Sequence, residues 1–263
     1  MVIDFHMHTF PDAIAGRVIK ALAEASSLKP YTNGTVSDTE RKMKQWGIDR
    51  GVLLNIATTP SQEKTINTVA AENNKRENFN AFGSVYPFAD DAENELPRIK
   101  DLGLPGIKMH PEYQNFFIDD PRVFGIYETC SALGLAIAFH TGADKGYGPP
   151  VHATPDRILN VIRNFPKLKV IAAHFGGLMF WDAVDYFLLG KNVYLDTAFT
   201  CGYLDTGRMR DMILRHGTDK VLFASDCPWE NPADTLSKIL SMHLPSADEE
   251  RIFSGNALNL LGR

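Results

Sequence analysis

Cysteine is scarce: Cys130, Cys201 and Cys227 lie far apart and form no C-x-x-C pair, which excludes a disulfide framework and a thiolate zinc site. Long hydrophobic runs are missing too. No stretch of about eighteen uninterrupted apolar residues occurs, so no membrane partner is expected, and the opening Met-Val-Ile-Asp-Phe-His lacks the basic-then-apolar layout of a signal peptide. A cytoplasmic location is the expectation. Basic runs are also absent, and a formal net charge of -5 with a pI near 5.9 gives no electrostatic footprint for a polyanion, so nucleic acid is not an expected partner. No Gly-rich dinucleotide fingerprint follows the first apolar run, and no Ser/Gly-rich linker or low-complexity tract divides the chain. One domain over residues 1–263 is expected.

What is present is a rhythm. Eight short apolar runs recur: Val2 to Phe5, Gly51 to Ile56, Phe79 to Val85, Gly106 to Met109, Ala136 to Phe139, Lys169 to Ala173, Val193 to Leu195 and Val221 to Ala224. From the second onward they begin at intervals of about 24 to 33 residues, room for one strand, one helix and two loops. Their continuous apolar character suits parallel strands buried on both faces. The segments between them read as helices, among them Ser61 to Asn74, Pro121 to Leu133, Thr154 to Phe165, Gly207 to His216 and Asp234 to Met242. Thr154 with Pro155 gives an N-cap and a first-turn proline, and Ser37 with Glu40 reads as a capping box. The pattern predicts an α/β fold, a single (β/α)8 TIM barrel with an extra helical insertion between strands 1 and 2.

Such a barrel gathers the C-terminal ends of its strands at one rim, where barrel enzymes place their active sites. His6 and His8 close the first run, Lys108 and His110 the fourth, His140 the fifth, His174 the sixth, and Asp226 follows the eighth. Five of the eight histidines therefore fall at strand ends, where chance would put about one. His6 and His8, two apart on a strand, turn both imidazoles to one face, with Asp4 on that face one step deeper. Two neutral imidazoles suit Zn²⁺ or a similar divalent ion, and His140 with Asp226 would complete a mixed nitrogen and oxygen site. Asp4 would orient a ligand or form a plain buried hydrogen bond. His152, His216 and His243 fall in loops or helix ends, where solvated or capping roles are the default.

The ordered set Asp-Phe-His-Met-His, Gly-Ile-Lys-Met-His-Pro, Ala-Phe-His-Thr-Gly, Ala-Ala-His-Phe-Gly-Gly and Ala-Ser-Asp-Cys-Pro-Trp, with the closing Ser254 to Leu261, resembles the amidohydrolase superfamily. More narrowly it is similar to the branch of aminocarboxymuconate semialdehyde decarboxylase-like metal-dependent hydrolases. The resemblance implies one divalent ion, Zn²⁺ first and Mn²⁺ as the alternative, held by His6, His8, His140 and Asp226, with His174 beside a metal-activated water. Asp226 would take that water's proton, and His174 would polarise the substrate or stabilise oxyanion charge.

Lys108 lies on the same strand face as His110, and both are candidates to meet substrate. A lysine ending the fourth strand resembles the carboxylated lysine that bridges two metals in other amidohydrolases, and a second ion follows if Lys108 is carboxylated. The narrower resemblance favours one metal and an unmodified ammonium paired with Asp226 or a substrate carboxylate. Phe10, Tyr113, Tyr147, Phe175, Trp181, Phe199 and Trp229 follow strands and are candidates to line a pocket. The loop Thr141 to Pro150 would form a wall or lid, with Asp144 and Lys145 as contacts. Arg50 precedes the second strand and belongs to the opposite rim.

The function expected is a metal-dependent hydrolase acting on a small amide, ester or lactone. A non-oxidative decarboxylase of a small unsaturated or aromatic carboxylic acid is the alternative, and a non-catalytic binding barrel the third. The partner is a small-molecule substrate, and the branch resemblance adds a homodimer.

Overall fold

A computed structural model describes residues 1–90 and 92–262. Eight parallel strands appear where the apolar runs stand: β1 (Ile3–Met7), β2 (Arg50–Leu54), β3 (Phe79–Phe82), β4 (Gly106–Met109), β5 (Ala136–Phe139), β6 (Val170–Ala172), β7 (Tyr194–Asp196) and β8 (Val221–Leu222). They form two arcs, β1-β2-β3 and β4 through β8. Both seams are bridged. Gly83 pairs with Ile107 across one, where Lys108 N donates to Gly83 O at 2.8 Å; Met7 pairs with Cys227 across the other, where Asp226 N donates to His6 O at 2.9 Å. The ring is a TIM-barrel fold.

Helices α1 (Asp12–Ser26) and α2 (Val36–Trp46) fill the insertion between β1 and β2, as expected. The cap of α2 differs from the sequence reading: Thr35, not Ser37, accepts from Asp38 N, because a side-chain oxygen caps the turn three residues ahead of it and the helix begins two residues earlier. Thr154 does hold the N-cap position ahead of Pro155, but without a side-chain bond to the helix. Helices α3 (Glu63–Asn74), α4 (Ala92–Asp101), α5 (Phe124–Leu133), α6 (Pro155–Asn164), α7 (Trp181–Phe187), α8 (Thr206–His216) and α9 (Pro232–Leu240) each follow a strand in turn. Two short helices, α10 (Ser246–Glu250) and α11 (Asn256–Leu261), close the chain around a π-helical turn at Arg251–Gly255.

Two apolar layers result. An outer one joins the strands to the helices through residues such as Leu53, Phe79, Ile107, Ile137, Phe139 and Ile158. An inner one joins Ile3, Phe5, Val52, Leu54, Phe82, Ala138, Ile171 and Leu222 with Ala257 and Leu260 of α11. Met7 belongs to the outer layer although Ile3 and Phe5 belong to the inner, because a register shift between Asp4 and Met7 breaks strict alternation in β1. Asp4 therefore leaves the face that carries the His6 and His8 imidazoles, while its carboxylate stays bonded to the His6 backbone. Its carboxylate accepts from Ser225 Oγ at 2.5 Å, Ser225 N at 3.0 Å and His6 N at 3.1 Å, and so ties β1 to the β8 loop as a buried hydrogen-bonding group.

One glycine is required by this geometry. Gly142, two residues past His140, has φ of +80°, and a Cβ there would meet Leu178 N at 2.1 Å. Only glycine lets the β5 loop turn this tightly against the loop after β6.

Candidate metal centre

The C-terminal rim gathers the residues expected there. His6 Nε2 and His8 Nε2 lie 3.2 Å apart, and Asp226 Oδ1 stands 3.3 Å from the first and 3.1 Å from the second. Their other ring nitrogens determine what these contacts are. His6 Nδ1 lies 2.9 Å from Asp196 Oδ2 and His8 Nδ1 lies 2.9 Å from Leu54 O. Those oxygens can only accept once Asp196 is ionised, so each Nδ1 carries the proton and each Nε2 presents a lone pair. Three acceptors then face one another at hydrogen-bond distance with no hydrogen among them. Such an arrangement repels itself until a cation sits between the three atoms. The donor set of two imidazole nitrogens and one carboxylate oxygen fits a divalent ion.

His140 takes a different position from the expected fourth ligand. Its Nδ1 lies 2.9 Å from His174 Nε2, and its Nε2 is buried without a hydrogen-bond partner. His174 Nδ1 lies 3.2 Å from Ala198 O, so His174 Nε2 is a lone pair directed at His140. His140 groups more closely with His110 and Asp144, while His6, His8 and Asp226 form the other cluster with metal-binding spacing. The two clusters meet through His174, whose ring lies 5.4 Å from that of His6 and 4.6 Å from that of His140.

Burial keeps these imidazoles neutral. His6, His110 and His140 are held well below the ordinary histidine value by desolvation and then by neighbouring positive groups, and His174 is lowered by desolvation. Neutral rings are the form that ligates metal. Lys108, only 1% exposed, reaches His6 Nε2 at 3.4 Å. Burial pushes Lys108 down and Asp196 up, each held back in part by the other's charge.

Backbone strain concentrates at the same rim. His174, Phe175, Phe199 and Asp226 have φ of 55°, 54°, 54° and 70°, a left-handed conformation costing such residues about 1 kcal/mol or more each. Neighbouring bonds hold them there. Asp196 accepts from His174 N at 2.8 Å and Ala198 N at 3.1 Å, and Trp181 Nε1 donates to His174 O at 3.2 Å.

Sequence reasoning missed Asp196, although a carboxylate ending the seventh strand was a visible signal one residue past the apolar run. It also missed Gln114, which is fully buried. Gln114 accepts from His110 N at 2.9 Å and donates to Ala57 O and Val85 O, knotting the loops after β2, β3 and β4. His216 is not solvated, being buried with its Nε2 2.9 Å from Val193 O in the outer core, while His152 is half-buried and its backbone N donates to Glu112 Oε1. Of the aromatic candidates, Tyr113 stacks on His110 at 3.7 Å, Tyr147 lies 5.2 Å from Tyr113, and Phe199 lies 6.5 Å from His174. Phe175 and Trp181 belong to the core. Arg50 begins β2, at the far end of the barrel.

Glu112 lies behind His110, with its Oε2 buried and unpartnered and 3.8 Å from His110 Nδ1. Burial pushes its carboxyl up to about 7. The folded chain thus keeps a proton that the unfolded chain releases near 4.5. Its contribution to stability is complete below that value and lost as pH rises to about 7. Glu112→Gln is expected to remove on the order of 2 kcal/mol of this loss, read as a smaller fall in thermal midpoint of the metal-free protein between pH 5 and 7.5.

The family model described as Amidohydrolase matches residues 3–263. The chain belongs to the amidohydrolase family. The chain is 27% identical over 218 residues to gamma-resorcylate decarboxylase of Polaromonas sp., covering 64% of this chain and 65% of that protein. It is 35% identical over 127 residues to 2-amino-3-carboxymuconate-6-semialdehyde decarboxylase of Dictyostelium discoideum, covering 41% of this chain and 35% of that protein. The matched segments thus span less than two thirds of either relative. Among solved structures, a dihydroxybenzoic acid decarboxylase from Polaromonas sp. with bound manganese and the inhibitor 2-nitroresorcinol superposes with a TM-score of 0.73 at 21% identity, over 99% of this chain and 96% of that one. The chain is thus a member of an enzyme family. Among the described residues no helix is long and apolar enough to cross a membrane.

Proposed function

We propose that this chain is a metal-dependent decarboxylase of a small aromatic or unsaturated carboxylic acid. The observation that carries the reading is the buried Lys108 ammonium beside a cluster of lone-pair donors, in a chain whose matched curated relatives are both decarboxylases. Hydrolysis, the first expectation from sequence, becomes the second reading. What favours it is the 2.9 Å meeting of His140 Nδ1 with His174 Nε2, two nitrogens that with a carboxylated Lys108 would supply a second ion's ligands.

His6, His8 and Asp226, joined by His140 if its ring turns, would hold a divalent ion, Zn²⁺ or Mn²⁺, which supplies positive charge for the substrate's oxygens and polarises them. Lys108 pairs with the substrate carboxylate, and burial strengthens that pair. Tyr113 and Tyr147 offer flat faces to a planar acid. Loss of CO2 leaves an electron pair on carbon that needs a proton. Asp226 faces the imidazoles through Oδ1, which leaves Oδ2 to carry that proton. His174 Nε2 holds the substrate from the β6 side. A cytoplasmic location and a homodimer belong to the same proposal.

The test is product analysis. Protein loaded with Mn²⁺ or Zn²⁺ is incubated with a panel of hydroxybenzoic acids and, separately, with amides, esters and lactones. Release of CO2 from at least one acid is expected. Turnover confined to amides, esters or lactones would replace this reading by the hydrolase, and no turnover in either set by metal-replete protein would replace it by a binding barrel.

A further inference from the structure

The loop after β5 brings Asp144 back over the rim. Its Oδ1 accepts from Gly146 N at 2.7 Å, while Oδ2 stands 3.4 Å from His110 Nε2 and 3.8 Å from His140 Nε2. Tyr113 N donates to His110 Nδ1 at 3.4 Å, so the His110 proton sits on Nε2, facing Asp144. Neither contact of Oδ2 is a short hydrogen bond. No lysine or arginine pairs with Asp144 among the described residues, and Lys145, next in the chain, lies over the Tyr203 ring at 4.5 Å. Behind His110 stands Glu112, whose Oε2 is buried and unpartnered and whose carboxyl burial favours in its neutral form. One wall of the rim is therefore acidic, and Lys108 with the metal-binding cluster forms the cationic end.

We propose that Asp144, backed by His110, determines substrate specificity: its Oδ2 accepts a hydrogen bond from a hydroxyl or amino substituent of the substrate and turns away a second carboxylate at that position. The proposal rests on the preceding one only in taking the substrate to be a small carboxylic acid. A carboxylate with a free lone pair in a nearly dry wall gains a charge-assisted bond from an incoming O–H or N–H. A second carboxylate placed there would meet like charge and lose its own hydration. The acidic wall and the cationic end together orient the ligand, its single carboxylate toward Lys108 and its donor group toward Asp144. Tyr113, stacked on His110 with an interplanar angle of 18°, continues the wall as a flat surface beside that donor.

Binding tests this without turnover. Mn²⁺-loaded protein is titrated calorimetrically with benzoate, 3-hydroxybenzoate and isophthalate. The hydroxyl is expected to tighten binding about tenfold over benzoate in the natural protein, with isophthalate weakest. In Asp144→Asn, which retains an acceptor for Gly146 N, that advantage falls below about threefold and isophthalate gains about fivefold relative to benzoate. Asp144→Ser repeats the measurement should the amide not be tolerated, and metal content is assayed on every sample. A hydroxyl advantage that survives both variants, or its absence in the natural protein, overturns the proposal. If none of the three acids binds metal-loaded natural protein, this proposal and the carboxylic acid reading fall together. If the acids bind with the expected discrimination but none releases CO2, the decarboxylase reading fails and this one stands.

Discussion

Asp226→Asn is expected to lower turnover by about 10³-fold or more while leaving the fold intact. Among the described residues Asp226 Oδ1 supplies the only negative charge in contact with the lone pairs of His6 and His8, and its Oδ2 is the proton carrier of the proposed reaction. An amide keeps the shape but removes both the charge and the titrating oxygen. Asn is the right replacement for a second reason: the residue has φ of 70°, a conformation asparagine adopts with little cost where most residues are strained. The bond from the backbone N of this residue to His6 O is also kept. In the metal-free protein the substitution relieves carboxylate against lone pair, so the thermal midpoint should hold or rise slightly. The measurements are CO2 release under saturating metal, metal stoichiometry after gel filtration, and the thermal midpoint with and without ion. A variant with full metal content and activity within tenfold of the natural protein would remove Asp226 from both of its roles.

The barrel was legible because its strands are buried on both faces and so read as continuous apolar runs, which the helices between them do not. α4 and α7 were not among the segments singled out as helical, since Pro97 interrupts one and the other spans seven residues. The rim histidines were legible because polar residues at strand ends stand out against those runs. What the letters did not carry was the side-chain geometry within the rim. Alternation along β1 puts Asp4 on the imidazole face, as a ligand's support or a plain buried hydrogen-bonding group, and a register shift leaves it the second, bonded to Ser225 and to the His6 backbone N. Spacing assigns His140 to the same ion as His6, whereas its position is set by a ring stacked at 4.1 Å on His110 and by contact with His174, residues about 30 positions to either side in sequence. Asp196 escaped notice because its role is exerted through His6, whose tautomer it fixes, and a residue that acts through another leaves no motif of its own.

Lys108→Met is expected to abolish activity and at the same time stabilise the metal-free protein. The ammonium is buried beside His6 Nε2, an uncharged partner at 3.4 Å, and burial pushes its pKa from 10.5 down to about 8. Between those values the unfolded chain binds more protons than the folded one, so the metal-free natural protein gains stability as pH rises from 8 to 10.5. Below pH 8 the buried charge costs on the order of 3 kcal/mol, a figure already net of the opposing charges of Asp196 and Asp226. Methionine fills the same volume without charge, so the variant should be more stable at pH 7 by about 1–3 kcal/mol, and its stability should no longer rise above pH 8. Denaturant titrations at pH 7 and pH 10 read both effects. A folded state that gives up stability to hold an ammonium in a dry site does so for a ligand, and loss of CO2 release by about 10³-fold or more in the same variant identifies that ligand as the substrate carboxylate. If the side chain instead carries a carbamate, bicarbonate should stabilise the natural protein and leave Lys108→Met unmoved, and the decarboxylase reading would yield to two-metal hydrolysis. A variant that is both active and destabilised at pH 7 would contradict either role.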